Sequence, residues 1–402
     1  MTTLNDYHQF DGLHWETGSV RNYYDYCGVK APHTGGPYTE ALLMGISGGA
    51  VMGYFPFSYQ GIDPHARILT RNTFDPMETM LNRIGAVQNA RQTGTADRAV
   101  RNLVDVLQGG APAIVWVDAM QMPYDPQPYE FEIAHMMPVV VYGFDQKADQ
   151  VAIADRARVP LSATTGQLAA ARAQVKKVRN RILTLEPPDH DMLREAVEQG
   201  IWDCVKLYTE KPPKGARHNF GFAAYDRLAD TLRKPKIRGS WDKDFPRGRK
   251  MYAGLESVFS DTHTFGKVGF AERDTYADFL GEAAVILQKP ALREAEEQFR
   301  VSARAWEELG LVLLPNEVPV WAEARSLMLT NQRLFLQEGG EKLEEGRANC
   351  ARLIEIRREM ETDFPLSDEE AVAFRERIAE QVLKIRDTEA PAVATMKGAM
   401  EI

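Results

Sequence analysis

The sequence predicts an α+β domain at the N-terminus followed by an all-helical C-terminal domain. Three observations carry this. The β-branched apolar runs "PAIVWVD" (112–118), "PVVVYGF" (138–144) and "QVAIAD" (150–155) have the length and composition of strands. The last two are joined by "DQKAD", a polar turn, so they read as an antiparallel hairpin. After Pro187-Pro188 the texture changes, and from Phe220 onward almost every segment is an amphipathic helix.

Taken in order, Val20, Tyr23, Tyr24 and Cys27 repeat at i, i+3, i+4 and i+7, which makes one apolar helix face and puts Cys27 in the core. Gly28 stops that helix. A short helix over 39–44 leads into "GISGGAVMGYF", where the glycines suit close packing under a helix better than a phosphate loop, because no Lys-Ser/Thr follows. Helices are expected over 75–92 and 96–108, the second ending at Gly109-Gly110. Residues 165–180 return to helix and "RILTL" (181–185) adds a strand. Further helices are expected over 189–207, 220–233, 249–261, 273–287, 291–313, 318–338, 340–362 and 367–388. Ala371, Phe374, Ile378, Val382 and Ile385 form one stripe, and the last dozen residues carry no clear pattern. The expected divisions are 1–186, a helical domain over 187–315, and long helices over 316–402 that would pack either on their own domain or on a second copy as a homodimer surface.

Composition excludes several classes. With 57 acidic and 48 basic residues the net charge is −9, so no nucleic-acid partner is expected. No apolar run reaches the roughly 18 residues of a membrane span, and "MTTLNDYHQFDG" lacks the basic and apolar regions of a signal peptide. Cys27, Cys204 and Cys350 are sparse and odd in number, which fits a reducing cytoplasm. Neither CxxC nor HExxH occurs, so no metal and no other cofactor is expected.

The order of the stretches "LHWETGSVRNYYDYCG", "YTEALLMGISGGAVMGY", "HMMPVVVYGFD" and "VAIAD" resembles the N-terminal domain of the butirosin biosynthesis acyltransferase family. "HNFGFAAYDRLADTL" and "ERDTYADFLGEAAVIL" resemble the helical domain of unknown function that commonly follows it. The resemblance implies a papain-like fold for the first domain. It also implies transfer of an acyl group from a carrier protein to an amine in specialised metabolism, with the substrate a small-molecule or carrier-bound acyl chain.

That family's pattern has a cysteine opening the first helix, where the helix dipole and a neighbouring His⁺ favour thiolate. Trp15 stands at that position here. An indole Nε1–H donates and cannot accept, so the covalent route is closed. The family's histidine stands six residues before the glycine of its Gly-aromatic-Asp turn. Counting back from Gly143 gives Met137, with His135 two residues further upstream on the same strand face, about 6–7 Å away. Asp155 keeps the place of the orienting acid. The candidate catalytic residues are therefore His135, as a general base toward an amine, and Asp155. The candidate substrate-binding residues are Trp15, its neighbours His14 and Glu16, Glu40 on the second helix, and Met137. Each has a structural alternative: Trp15 as a core plug, His135 as a strand-end residue, Asp155 as a turn residue and Glu40 as fold support. A noncovalent transferase, a catalytically dead binding protein and a scaffold all remain open.

Overall fold

The computed structural model describes residues 2–58, 61–126, 135–264 and 269–401. The chain forms two compact units, each assembled from separated segments. The first comprises Met1–Leu43, Met77–Leu193 and Thr330–Ala351, and the second Met44–Pro76, Arg194–Leu329 and Arg352–Ile402.

The first unit holds an antiparallel sheet in the order Gln88–Arg91, Ile182–Leu185, Ala113–Asp118, Met136–Asp145, Gln150–Ala154, Leu161–Ala163, with Thr2–Thr3 pairing at Gly143 and Phe144. Every residue of Ala113–Asp118 is buried, which explains why that strand reads as an unbroken apolar run. The expected hairpin is present: Asp145 opposes Gln150, and the Asp145 carboxylate accepts from the Lys147 and Ala148 amides in the turn. The helices Trp15–Tyr26, Ala96–Gln108 and Thr165–Gln174 pack on this sheet. Val20, Tyr23 and Tyr24 are buried as the periodicity requires. Cys27 is not; the helix ends at Tyr26, and Cys27 is its exposed C-cap rather than part of the apolar face.

The expected helix over 75–92 is shorter, covering only Pro76–Arg83. Gly85 takes φ +65, which turns the chain, and Gln88–Arg91 then joins the sheet edge beside Ile182–Leu185. Local apolar spacing could not see that pairing, since the partner lies far along the chain.

The second unit is built of helices, with one two-stranded hairpin, Ala50–Phe57 against His65–Arg71, within "GGAVMGYF" and the segment after it. The helices Gly221–Arg233, Leu292–Leu313 and Asp368–Glu401 pack together, and the stripe Ala371, Phe374, Ile378, Val382 and Ile385 is buried inside this unit. The final helix does not stop near 388 but continues through Pro391 to Glu401, burying Ala392, Val393, Met396 and Ala399.

Candidate functional site

The first helix begins at Trp15, and the loop before it is fixed by backbone proximity. A Cβ on Gly12 would sit 2.3 Å from the Gly18 carbonyl oxygen, so only glycine lets residues 11–14 lie this close over the first turn. His14 is the N-cap, and its Nδ1 accepts from the Glu16 amide at 3.3 Å. Glu40 answers from the second helix, Glu40–Ile46. Its carboxylate accepts from the Leu13 amide at 2.6 Å, the His14 amide at 3.0 Å and the Thr17 hydroxyl at 2.8 Å. Glu40 therefore holds the helix entry in place and places negative charge where the helix dipole favours it.

Trp15 is 4% exposed, and the guanidinium of Arg156 covers its ring, 4.0 Å from the centroid. Phe335 lies over the same guanidinium at 4.7 Å, so Arg156 contacts two aromatic rings. Asp155 holds it in a fork: Nε donates to Oδ1 at 2.9 Å and Nη2 to Oδ2 at 3.2 Å. Nη2 also reaches Asp125 Oδ2 at 3.4 Å. The Tyr124 hydroxyl donates to Asp155 Oδ2 at 3.1 Å, and its ring stacks on Phe335. Burial pulls the Arg156 guanidinium down, but Asp155 and Asp125 outweigh it and hold the group above its ordinary range. Burial and then Asp155 push the Tyr124 hydroxyl well above its usual value. Arg156 adopts φ +50, a conformation that costs a non-glycine residue about 1–3 kcal/mol. Among the described residues both oxygens of Asp155 are thus occupied by Arg156 and Tyr124, and neither bonds to His135.

His135 sits just before the strand Met136–Asp145. Its amide donates to Asp118 Oδ1 at 3.0 Å and its carbonyl accepts from Ala119. Asp118 also accepts from the Met120 amide and the Gln121 side chain. Met137 lies opposite Val117 in the ladder. One residue on, the Pro138 carbonyl accepts from Ser19 Oγ at 3.3 Å. Ser19 is one turn beyond Trp15 on the same helix face, so the start of the helix adjoins the start of this strand.

The structure thus brings His14, Trp15 and Glu40 together at the helix entry and joins Asp155 to Trp15 through Arg156. The His135 backbone is held at Asp118, through its amide and through the Ala119 amide that meets its carbonyl. A cavity of about 540 Å³ is lined by Met120, Gln121, Met122, Asp125, Gln167 and Arg347 among others. Asp125 is shared by the cavity wall and the Arg156 cluster. Glu16 is half-buried in the first helical turn. Among the described residues no group of three or more His, Cys, Asp or Glu could hold a metal ion, and no helix is long and apolar enough to cross a membrane.

Sequence reasoning missed Arg156, Tyr124, Asp125 and Phe335. The pair Asp155-Arg156 was a local signal, since a carboxylate beside an arginine at a strand end invites an ion pair. Phe335 gave none, because it arrives from a helix far along the chain.

An antiparallel sheet with a helix docked by its N-terminal end against the sheet, followed by a helical region, is the papain-like class with a helical partner. Within that class, residues 14–156 match the family described as Butirosin biosynthesis protein H, N-terminal, and residues 166–318 match the Domain of unknown function (DUF4872), the same order of domains as in that architecture. No curated protein matches the chain at a significant level.

Proposed function

We propose that this chain works in the acyl- or aminoacyl-transfer type of biosynthetic role that its family suggests, as a binding member without covalent catalysis, acting in the cytoplasm. The observation that carries the reading is Arg156. It covers the indole at the helix entry, and it occupies the acid that would otherwise orient a histidine. A helix N-terminus favours a thiolate only if a thiol is there and a substrate carbonyl can reach it; position 15 supplies neither. The cavity beside Asp125 has the size of a small-molecule site and mixes Met120 and Met122 with Gln121, Gln167 and Arg347. A small acyl compound, or the acyl end of a carrier-bound chain, fits that chemistry.

The test is incubation of the purified chain with acyl-thioesters and primary amines, followed by mass spectrometry. The expected result is no acyl adduct and no amide above background, with ligand binding lost on Arg347→Glu or Met122→Asp. Trp15→Cys alone is expected to stay unlabelled by a thioester, and Trp15→Cys with Arg156→Ala to accept the acyl group. In that step the thiolate attacks the thioester carbonyl and the donor thiol leaves. A second reading rests on His135, whose backbone is anchored to the same Asp118 that holds Met120 and Gln121 of the cavity wall. In that reading His135 takes a proton from an amine that attacks the thioester directly, a contribution of about 10²–10⁴-fold. Turnover by the wild type that disappears in His135→Ala would replace the first reading with the second.

A further inference from the structure

The second unit carries a cluster of cations that its own acids leave alone. Arg217 and His218 are exposed on the short turn Arg217–Asn219, and Lys236 and Arg238 are exposed after the helix Gly221–Arg233. Arg227 on that helix lies beside the first segment, over Tyr54, and Pro56 two residues further along that strand lies by Gly239 after Arg238. The Arg227 Nη1 donates to Asn219 Oδ1 at 2.8 Å and its guanidinium lies 5.7 Å from the Tyr54 ring centroid. Among the described residues none of Arg217, Arg227, Lys236 and Arg238 makes an ion pair. The acids of the same helix are directed elsewhere: Asp226 pairs with Arg386 and Asp230 with Lys234. Asp244 lies beside Gly239 but pairs with none of them. The cations act on one another instead. Burial and then Arg238 pull the Arg227 guanidinium down, and burial and then Arg227 pull His218 down.

We propose that this face, centred on Arg227 and Arg238 and flanked by Arg217 and Lys236, is a docking surface for an acidic partner protein. It goes beyond the function proposed for the first unit and does not depend on it. Three arguments select the partner. The chain carries a net charge of −9, so a local reversal of sign steers an acidic surface to one place. Four exposed or half-exposed cations make too short a stripe for a duplex, which presents one charge per about 1.7 Å. An apolar anchor is also at hand: Pro56 touches the Gly239 position, and its neighbour Phe57 is 39% exposed. Acidic protein faces that bind tightly pair a charged rim with such an anchor.

The test uses the full chain and a fluorescent, glutamate-rich helical peptide of about 20 residues, read by anisotropy at low and high salt. Binding should weaken with salt and fall about tenfold or more in the triple variant Arg217→Glu, Lys236→Glu, Arg238→Glu. These positions are exposed, so the variant should keep its circular dichroism and melting temperature. The control reverses Lys176, Lys177 and Arg179, an exposed basic segment of the other unit, and should change affinity less than twofold. Equal loss in the control, no loss in the patch variant, or no binding by the wild type would overturn the proposal. So would displacement of the peptide by millimolar inorganic phosphate, which would make this a small-anion site. Tighter binding of a single-stranded oligonucleotide of equal charge would overturn it in favour of nucleic acid.

Discussion

Each unit buries an arginine against a carboxylate, and the two pairs are built in opposite ways. In the first unit Asp155 and Arg156 are neighbours in sequence, the backbone bends to φ +50 to let them meet, and aromatic rings cover the charge. In the second, Arg273 and Glu389 come from distant segments, and both side chains are 0% exposed. Glu389 accepts from Arg273, Ser302, Trp306, Tyr208 and Tyr225, and Arg273 donates further to the carbonyls of Thr70, Ala271 and Val51. The first is a local clamp beside a cavity. The second is a saturated node that ties the last helix to the hairpin and to four other segments of its unit. The second pair is fully bonded, with Glu389 inside the last helix, whereas the first sits on a backbone held at positive φ.

The largest expected effect breaks the second pair. Glu389→Ala leaves Arg273 charged and uncompensated and should cost about 3–5 kcal/mol, read as a fall in the urea midpoint. Arg156→Ala should cost less, about 2–4 kcal/mol, because Asp155 keeps the Tyr124 hydroxyl and Asp125 borders a cavity that admits water. If Arg156→Ala were the more damaging of the two, the contrast between clamp and node would fail.

A third prediction sharpens the picture of the second unit through pH. His263, in the π-helical turn Ser260–Thr264, is stacked on Phe259 and bonded to Thr262, and burial lowers it to about 4. The folded state therefore binds this proton less readily than the unfolded chain. Stability from this group is complete above about pH 6.5 and is lost as pH falls toward 4, by up to about 3 kcal/mol. Glu389 adds in the same sense. Burial raises it, Arg273 outweighs that, and its depressed value removes stability as pH falls through the acid range. His263→Gln should flatten the melting temperature between pH 7 and 5, and an unchanged slope would assign the acid sensitivity elsewhere. The smallest effect belongs to the helix entry. Glu40→Gln keeps the shape but weakens three bonds to the loop, and should cost about 1–2 kcal/mol with a matching drop in melting temperature.

Much of the fold was legible because its signals are local. The strands at 113–118, 136–145 and 150–154 announce themselves by β-branched runs, and the helix at 273–287 by its spacing. What escaped depends on distant partners. Gln88–Arg91 is a strand only because Ile182–Leu185 lies beside it. The hairpin at Ala50–Phe57 was hidden behind glycines that looked like a packing loop. The helix beyond 388 was obscured by Pro391, whose lost N–H is offset by burial of Val393 and Met396. In the site, the sequence placed Trp15 at a helix start and Asp155 at a strand end. It could not show that Asp155 faces Arg156 and Tyr124, since side-chain direction in a strained turn leaves no periodicity to read.

The arginine resting on the indole also couples two positions that are far apart in the chain. A small thiol at position 15 would take away one of the rings against which Arg156 rests while Asp155, Asp125 and Phe335 still hold the cation over the helix mouth. Exchanging Arg156 alone would strand two carboxylates next to a bulky ring. Either exchange alone leaves the other residue's contacts unmatched, so what position 15 tolerates is set by position 156 and the reverse.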